Sequence, residues 1–161
     1  MIRNITVNDA GQIADIYNYY VAHTIITFEE KKLTVAETEK RMTEIRGKGF
    51  PYIVYEENER ILGFACLNNF RSRAAYDITL ETSIYLDKNE TGKGIGTILY
   101  TGLIERAGEM NIHSLVGVIS LPNEKSRELH RKFDFKFIGN LRESGMKFGR
   151  LIDVEFWQLI L

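Results

Sequence analysis

The spacing of apolar residues changes several times along the chain, and each change marks an element boundary. Ile2, Ile5 and Val7 fit a short opening strand. From about Asn8, the positions Ile13, Ile16, Tyr17, Tyr20 and Val21 recur at the spacing of one helix face. A loop with Phe28, Glu29 and Glu30 follows. Thr34-Val-Ala-Glu37 then reads as a capping box, in which Thr34 accepts from a first-turn amide and Glu37 reaches back to the cap. This second helix is expected to end near Gly47 and Gly49. Residues 51–55 and 61–68 read as strands, joined by the charged turn Glu56-Glu57-Asn58-Glu59.

Residues 76–86 alternate as one long strand. Tyr76, Ile78, Leu80, Thr82, Ile84 and Leu86 share one face, and Asp77, Thr79, Glu81, Ser83 and Tyr85 share the other. The stretch NETGKGIGTILY, from Asn89 to Tyr100, ends that alternation with glycines at 92, 94 and 96 and opens a helix that runs to about Gly108. Residues 114–119 form an apolar, buried strand. Pro122-Asn123 opens a further helix carrying Leu129 and Phe133, and strands near 136–141 and 153–161 close the chain. This order predicts a mixed α/β (α+β) fold: one domain over residues 1–161, with a mostly antiparallel sheet flanked by helices.

Composition then removes whole classes of function. A chain of 161 residues is long enough for one domain with a sizeable core. A net charge of −1 gives no broad electrostatic case for nucleic acid or an anionic membrane. Cys66 is the only cysteine, which excludes an internal disulfide and a cysteine-cluster metal site. The first residues carry no hydrophobic signal core, and the longest apolar stretch, near 61–67, is far short of a membrane span. A soluble cytoplasmic protein with no metal is expected.

The glycine loop carries the candidate chemistry. A nucleoside-triphosphate loop would need Ser or Thr after Gly92-Lys93, where Gly94 stands, and a first glycine where Asp87 stands. A dinucleotide fingerprint beginning at Gly92 would need glycine at Thr97 and an acidic residue after the next strand. Two readings remain. The amides opening the helix at Gly94 can hold a pyrophosphate, helped by the positive end of the helix dipole and by residues without Cβ. Alternatively, the glycines serve only a tight turn and close helix–sheet packing.

Strand, Gly-x-Gly turn, helix, strand, Pro-Asn and helix, in that order, resemble the GNAT N-acetyltransferases. More narrowly the chain is similar to the phosphinothricin/methionine sulfoximine acetyltransferase subfamily. Ile16-Tyr17-Asn18, the run from Arg73 through Tyr76, Asp77 and Thr79 to Glu81, and Leu121-Pro122-Asn123 with Ser126, Leu129 and His130 match its segments in order. Lys147-Phe148-Gly149-Arg150, Asp153 and Phe156-Trp157-Gln158 match its C-terminal signature. The chain departs from the pattern at Thr91, where Gln or Arg is usual, at Asp134-Phe135, and at Leu151. Phe148 follows the methionine-sulfoximine form rather than the His form.

The resemblance implies acetyl-CoA as cosubstrate and a small amine, amino-acid-like, as acceptor. It implies Glu81 as the catalytic base, through a relayed water or partial burial, since an ordinary glutamate pKa of about 4.3 is low for that task. Ile84, Tyr85 and Leu86 would offer backbone groups to the pantetheine arm and thioester oxygen. Thr91, Gly92, Lys93, Gly94, Ile95, Gly96 and Thr97 would hold the pyrophosphate, and Asn123 and Ser126 would also contact coenzyme A. Asn123 equally suits a plain helix N-cap. Arg73 is the first candidate for the acceptor carboxylate, ahead of Arg71 and Arg150; Phe28, Glu29, Tyr76, Lys147 and Phe148 would wall the pocket. Related enzymes often place an acidic Tyr on the last helix, but all 8 tyrosines here lie at or before Tyr100. Ser126 and His130 are fallback acids, His130 being better suited to packing, and a thiolate with a pKa of about 8.5 can leave without one. The subfamily resemblance also implies a homodimer. A same-fold enzyme for a peptide, polyamine or protein N-terminus, and a non-catalytic CoA sensor, are the rival readings.

Overall fold

The computed structural model describes residues Met1–Leu161. The strands are β1 (Ile2–Asn4), β2 (Tyr52–Glu57), β3 (Arg60–Asn69), β4 (Thr79–Leu86), β5 (Ser114–Ser120), β6 (Lys136–Lys147) and β7 (Arg150–Ile160). The helices are α1 (Ala10–His23), α2 (Val35–Gly47), α3 (Ile95–Gly108) and α4 (Glu124–Lys132). The sheet order is β1-β2-β3-β4-β5-β7-β6. The pairs β1·β2, β2·β3, β5·β7 and β6·β7 are antiparallel, whereas Thr79, Leu80 and Glu81 of β4 run parallel to Ser114, Leu115 and Val116 of β5. The mixed, mostly antiparallel architecture expected from the pattern is therefore the one observed. No helix is long and apolar enough to cross a membrane.

The chain gathers into two units. The first holds Met1–Tyr19, Leu33–Asn68 and Thr82–Asn111; the second holds Tyr20–Lys32, Asn69–Glu81 and Ile112–Leu161. In the first, α2 opens on the expected capping box: Thr34 Oγ1 accepts from Glu37 N at 3.2 Å, and Glu37 accepts from Thr34 N at 2.7 Å. Asn18 joins α1 to the entry of α2 through two bonds of 2.8 Å with the Leu33 backbone. Asn58 and Glu59 both take left-handed φ angles, 50° and 62°, which make the two-residue turn matching the twist of β2 and β3. Ile13, Ile53, Leu67, Leu99 and Leu103 are buried at the centre of this unit.

In the second unit β5 lies against β7, and Leu80, Leu115, Ile119, Ile152 and Trp157 are buried. A Cβ on Gly117 of β5 would occupy the space of the His130 imidazole, so only glycine lets α4 lie this close. The β6–β7 hairpin turns at Phe148 and Gly149, whose φ angles of 52° and 69° are again of the two-residue hairpin kind.

Four boundaries differ from the sequence reading. Val7 belongs to a short 3-10 turn, Val7–Asp9, so the first strand stops at Asn4 and α1 begins at Ala10. Tyr76 is not a strand residue. Ala74–Tyr76 is a 3-10 turn closed by Tyr76 N–H to Arg73 O at 2.9 Å, and β4 starts at Thr79, leaving Ile78 51 % exposed. Local hydrogen bonds here override the alternation. Phe133 is the C-cap of α4 rather than part of it. Finally, β6 continues past Leu141 to Lys147 and β7 begins at Arg150: the Phe148-Gly149 turn pairs Lys147 with Arg150, Met146 with Leu151 and Gly145 with Ile152, and an irregularity between Leu141 and Gly145 shifts the register before Leu141 pairs with Val154.

Candidate active site

The glycine loop sits at the start of α3 in the first unit. Gly92 and Gly94 have φ angles of 79° and 85°, in the region that side chains with Cβ rarely adopt. No atom lies within 4 Å of a Cβ built on either, so the loop is open above its backbone rather than pressed against a neighbour. Gly94 is the N-cap, with no side-chain cap, and its carbonyl takes the first helical bond from Ile98 N–H at 3.1 Å. The amides of Ile95, Gly96 and Thr97 thus form the positive first turn of α3. This donor set fits a pyrophosphate and needs no metal. Lys93 Nζ lies 2.8 Å from Glu90, so its charge is already shared with a carboxylate. Thr91 is half-buried at the loop's start.

Along β4, alternation places Glu81, Ser83 and Tyr85 on one face and Thr82, Ile84 and Leu86 on the other. The Tyr85 ring meets Tyr17 edge-on at 5.0 Å and Phe64 at 5.4 Å, so that side chain is a packing element. Glu81, in the second unit, is half-buried, and burial alone pushes its carboxyl above the usual glutamate range. Such a group is a better base near neutrality than an exposed glutamate.

In the same unit Asn123 caps α4, its Oδ1 accepting from Ser126 N at 3.2 Å. The capping role anticipated for Asn123 is real, and it orients the first turn where Ser126 lies. His130 is buried, with Nδ1 on the Ser126 carbonyl at 2.7 Å and its ring edge-on to Phe135 at 5.0 Å. Burial pushes its pKa below the ordinary histidine value. These contacts make it a packing residue.

The six residues anticipated for the acceptor pocket also lie in the second unit, but they differ in kind. Arg73 and Tyr76 are exposed, and the Tyr76 ring meets Phe70 edge-on at 5.9 Å. Phe28 and Phe148 are 40 % and 56 % exposed. Lys147 is 1 % exposed, and its Nζ donates to the carbonyl of Thr27 at 2.7 Å and reaches that of Tyr20 at 3.5 Å. Burial pushes its pKa down, opposed by Glu30 and Glu29. A Cβ on Gly145 would collide with the Phe28 ring. Lys147 and Gly145 therefore clamp the loop bearing Phe28 and Glu29 onto the hairpin. The Thr27 carbonyl escapes sequence reasoning because a backbone acceptor leaves no trace in side-chain type.

Comparison with known proteins agrees with this geometry. The family model for the acetyltransferase (GNAT) domain matches residues 2–156. The phosphinothricin N-acetyltransferase of Streptomyces coelicolor is 34% identical over 154 residues, covering 93% of this chain and 90% of that protein. The L-methionine sulfoximine/L-methionine sulfone acetyltransferase of Pseudomonas aeruginosa is 33% identical over 161 residues, covering 99% and 94%. A solved phosphinothricin acetyltransferase of Sinorhizobium meliloti in complex with AcCoA superposes with a TM-score of 0.97 at 34% identity, covering 100% of this chain and 88% of that one. Coverage from the first strand to the last and a loop whose open backbone donors fit a pyrophosphate lead to one assignment: the chain belongs to the GNAT acetyltransferase family and is an acetyl-CoA-dependent N-acetyltransferase.

Proposed function

We propose that the enzyme acetylates the α-amino group of a small amino acid or analogue of the phosphinothricin/methionine sulfoximine type, by direct transfer. The observation that carries this reading is Glu81: a desolvated carboxylate three positions before Ile84 on β4. Relatives named for phosphinothricin and methionine sulfoximine support the acceptor class. Acetyl-CoA supplies the activated acetyl thioester when bound. The amides of Ile95, Gly96 and Thr97, reached over Gly92 and Gly94, hold its pyrophosphate, with Thr91 and Lys93 beside them; Asn123 and Ser126 contact coenzyme A. Backbone groups of Ile84, Tyr85 and Leu86 align the pantetheine arm, and one amide stabilises negative charge growing on the thioester oxygen.

Glu81, directly or through water, takes the proton from the acceptor ammonium. Its raised basicity narrows the gap to that ammonium. Arg73 binds the acceptor carboxylate, and Phe28, Glu29, Tyr76 and Phe148 shape its surroundings while Lys147 holds the loop in place. No dedicated general acid is needed, because the thiolate leaves unaided. The working unit is a single acetyltransferase domain over 1–161, cytoplasmic and homodimeric. The exposed apolar side chains Phe137, Ile138, Leu141, Met146 and Leu151 along the β6–β7 hairpin support the dimer.

Release of free CoA from acetyl-CoA tests this across an amine panel. Methionine sulfoximine and phosphinothricin should turn over well ahead of a polyamine or a peptide N-terminus. Preference for a peptide or polyamine would replace the acceptor assignment, and absence of turnover with every amine despite acetyl-CoA binding would replace catalysis with sensing.

A further inference from the structure

A concave site lies wholly within the first unit, among α1, α2 and strands β2 to β4. Its volume is ≈ 220 Å³, and none of the residues assigned above to the acceptor lines it. The site is a cleft open to solvent on the side of Arg41 and Lys48, both exposed. Its floor is a run of aromatic rings. Tyr17 meets Tyr85 at 5.0 Å, Tyr85 meets Phe64 at 5.4 Å, and Phe64 meets Tyr52 at 5.8 Å.

The floor is amphipathic. Tyr52 is only 7% exposed, and burial holds its hydroxyl neutral, well above the usual tyrosine range. Cys66, Tyr17, Tyr85 and Arg41 all act electrostatically on that hydroxyl. The wall facing the rings is α2 and the residue after it, which contribute Arg41 and Lys48 against the single carboxylate of Glu44. The cleft therefore offers an apolar, π-rich base and a net positive wall. The volume exceeds the roughly 150 Å³ that accommodates benzene and falls below the ≈ 300 Å³ at which drug-sized sites begin. One ring with a short acidic arm fits that range, and a guanidinium is the natural partner of a carboxylate.

We infer that this cleft is a binding site for a compact aromatic carboxylate, its ring on Tyr17, Phe64 and Tyr85 and its carboxylate on Arg41 and Lys48. The chemistry is shared by two sources: an aromatic acceptor amino acid, or a separate effector acid. The inference is independent of the acceptor proposed above, because binding is read without acetyl-CoA or amine.

The probe is 3-phenylpropionate, titrated into the full chain by calorimetry and followed in the aromatic NMR signals. Saturable shifts are expected at Tyr17, Tyr52, Phe64 and Tyr85. The neutral 3-phenylpropan-1-ol should bind about tenfold more weakly, as expected for loss of a charge-assisted contact. Arg41→Gln with Lys48→Gln should cost the acid about the same factor and leave the alcohol unchanged. Both side chains are exposed, so the variant should fold, and a wild-type melting curve checks it. No saturable shift at these rings, shifts at Phe28 or Phe148 instead, or equal affinity for acid and alcohol would overturn the inference. In initial rates, a raised KM for the amine with added probe identifies the acceptor as the source; an unchanged KM identifies a separate ligand.

Discussion

Glu81 and His130 show how burial acts in opposite directions on an acid and a base. For Glu81, burial disfavours the carboxylate, so the titration moves up from the usual range. If the carboxylate form is the base, kcat/KM should rise with pH through that elevated value, and the acidic limb should stand above about 4.3. Glu81→Gln should lower kcat by about 10²- to 10⁴-fold, remove that limb and leave the KM for acetyl-CoA near wild type. Unchanged turnover in that variant would remove Glu81 from the mechanism. For His130, burial disfavours the imidazolium. Between its lowered folded value and the unfolded value of about 6.5, the unfolded chain binds the extra proton. Stability should therefore fall as pH drops from about 6.5 towards the folded value, then level off for this group. Melting curves from pH 7.5 to about 5 should show the decline, and His130→Met should flatten it.

At the scale of elements, the loop before α3 and the hairpin between β6 and β7 each depend on left-handed backbone. Gly94→Ala forces a Cβ into a φ of 85° where no neighbouring atom objects, so the cost is conformational, about 1–2 kcal/mol. A raised KM for acetyl-CoA with little change in the KM for the amine is the expected signature. The hairpin presents Lys147 to the loop after α1. Lys147→Met keeps the length but removes the donor to Thr27 O, which should cost about 1–3 kcal/mol in denaturant unfolding. It should also raise the amine KM rather than that of acetyl-CoA, because Phe28 and Glu29 are on the tethered loop. Equal effects on both constants would argue against a tether.

For the whole molecule, the question is what covers the apolar side chains of the terminal hairpin. Leu151 and Met146 are 60% and 67% exposed, more than isolated surface residues need be when Phe137, Ile138 and Leu141 share the same hairpin. Leu151→Glu should shift the sedimentation profile from dimer to monomer at micromolar concentration. A wild-type chain that sediments as a monomer would remove the dimer.

Local chemistry alone accounts for much of this protein. Thr34 and Glu37 lie within one helical turn, so the capping box of α2 forms wherever the chain goes. The Gly92-Lys93-Gly94 turn and the Pro122-Asn123 helix start are likewise written in adjacent residues, and the order of elements follows from apolar spacing. The candidate site is legible to the same extent, through motif residues that stand in sequence order. Long-range contacts settle the rest. Tyr76 loses its place in a strand to a 3-10 turn that alternation does not register. Burial of Glu81, and with it the upward shift of its carboxyl, depends on what the fold packs around β4. Lys147, expected from the resemblance only as a pocket-wall residue, is tied by the hairpin to the Thr27 carbonyl, 120 residues away along the chain. The aromatic cleft joins Tyr17, Tyr52, Phe64 and Tyr85 from four separate elements, a juxtaposition that no one-dimensional spacing encodes because the sheet itself creates it.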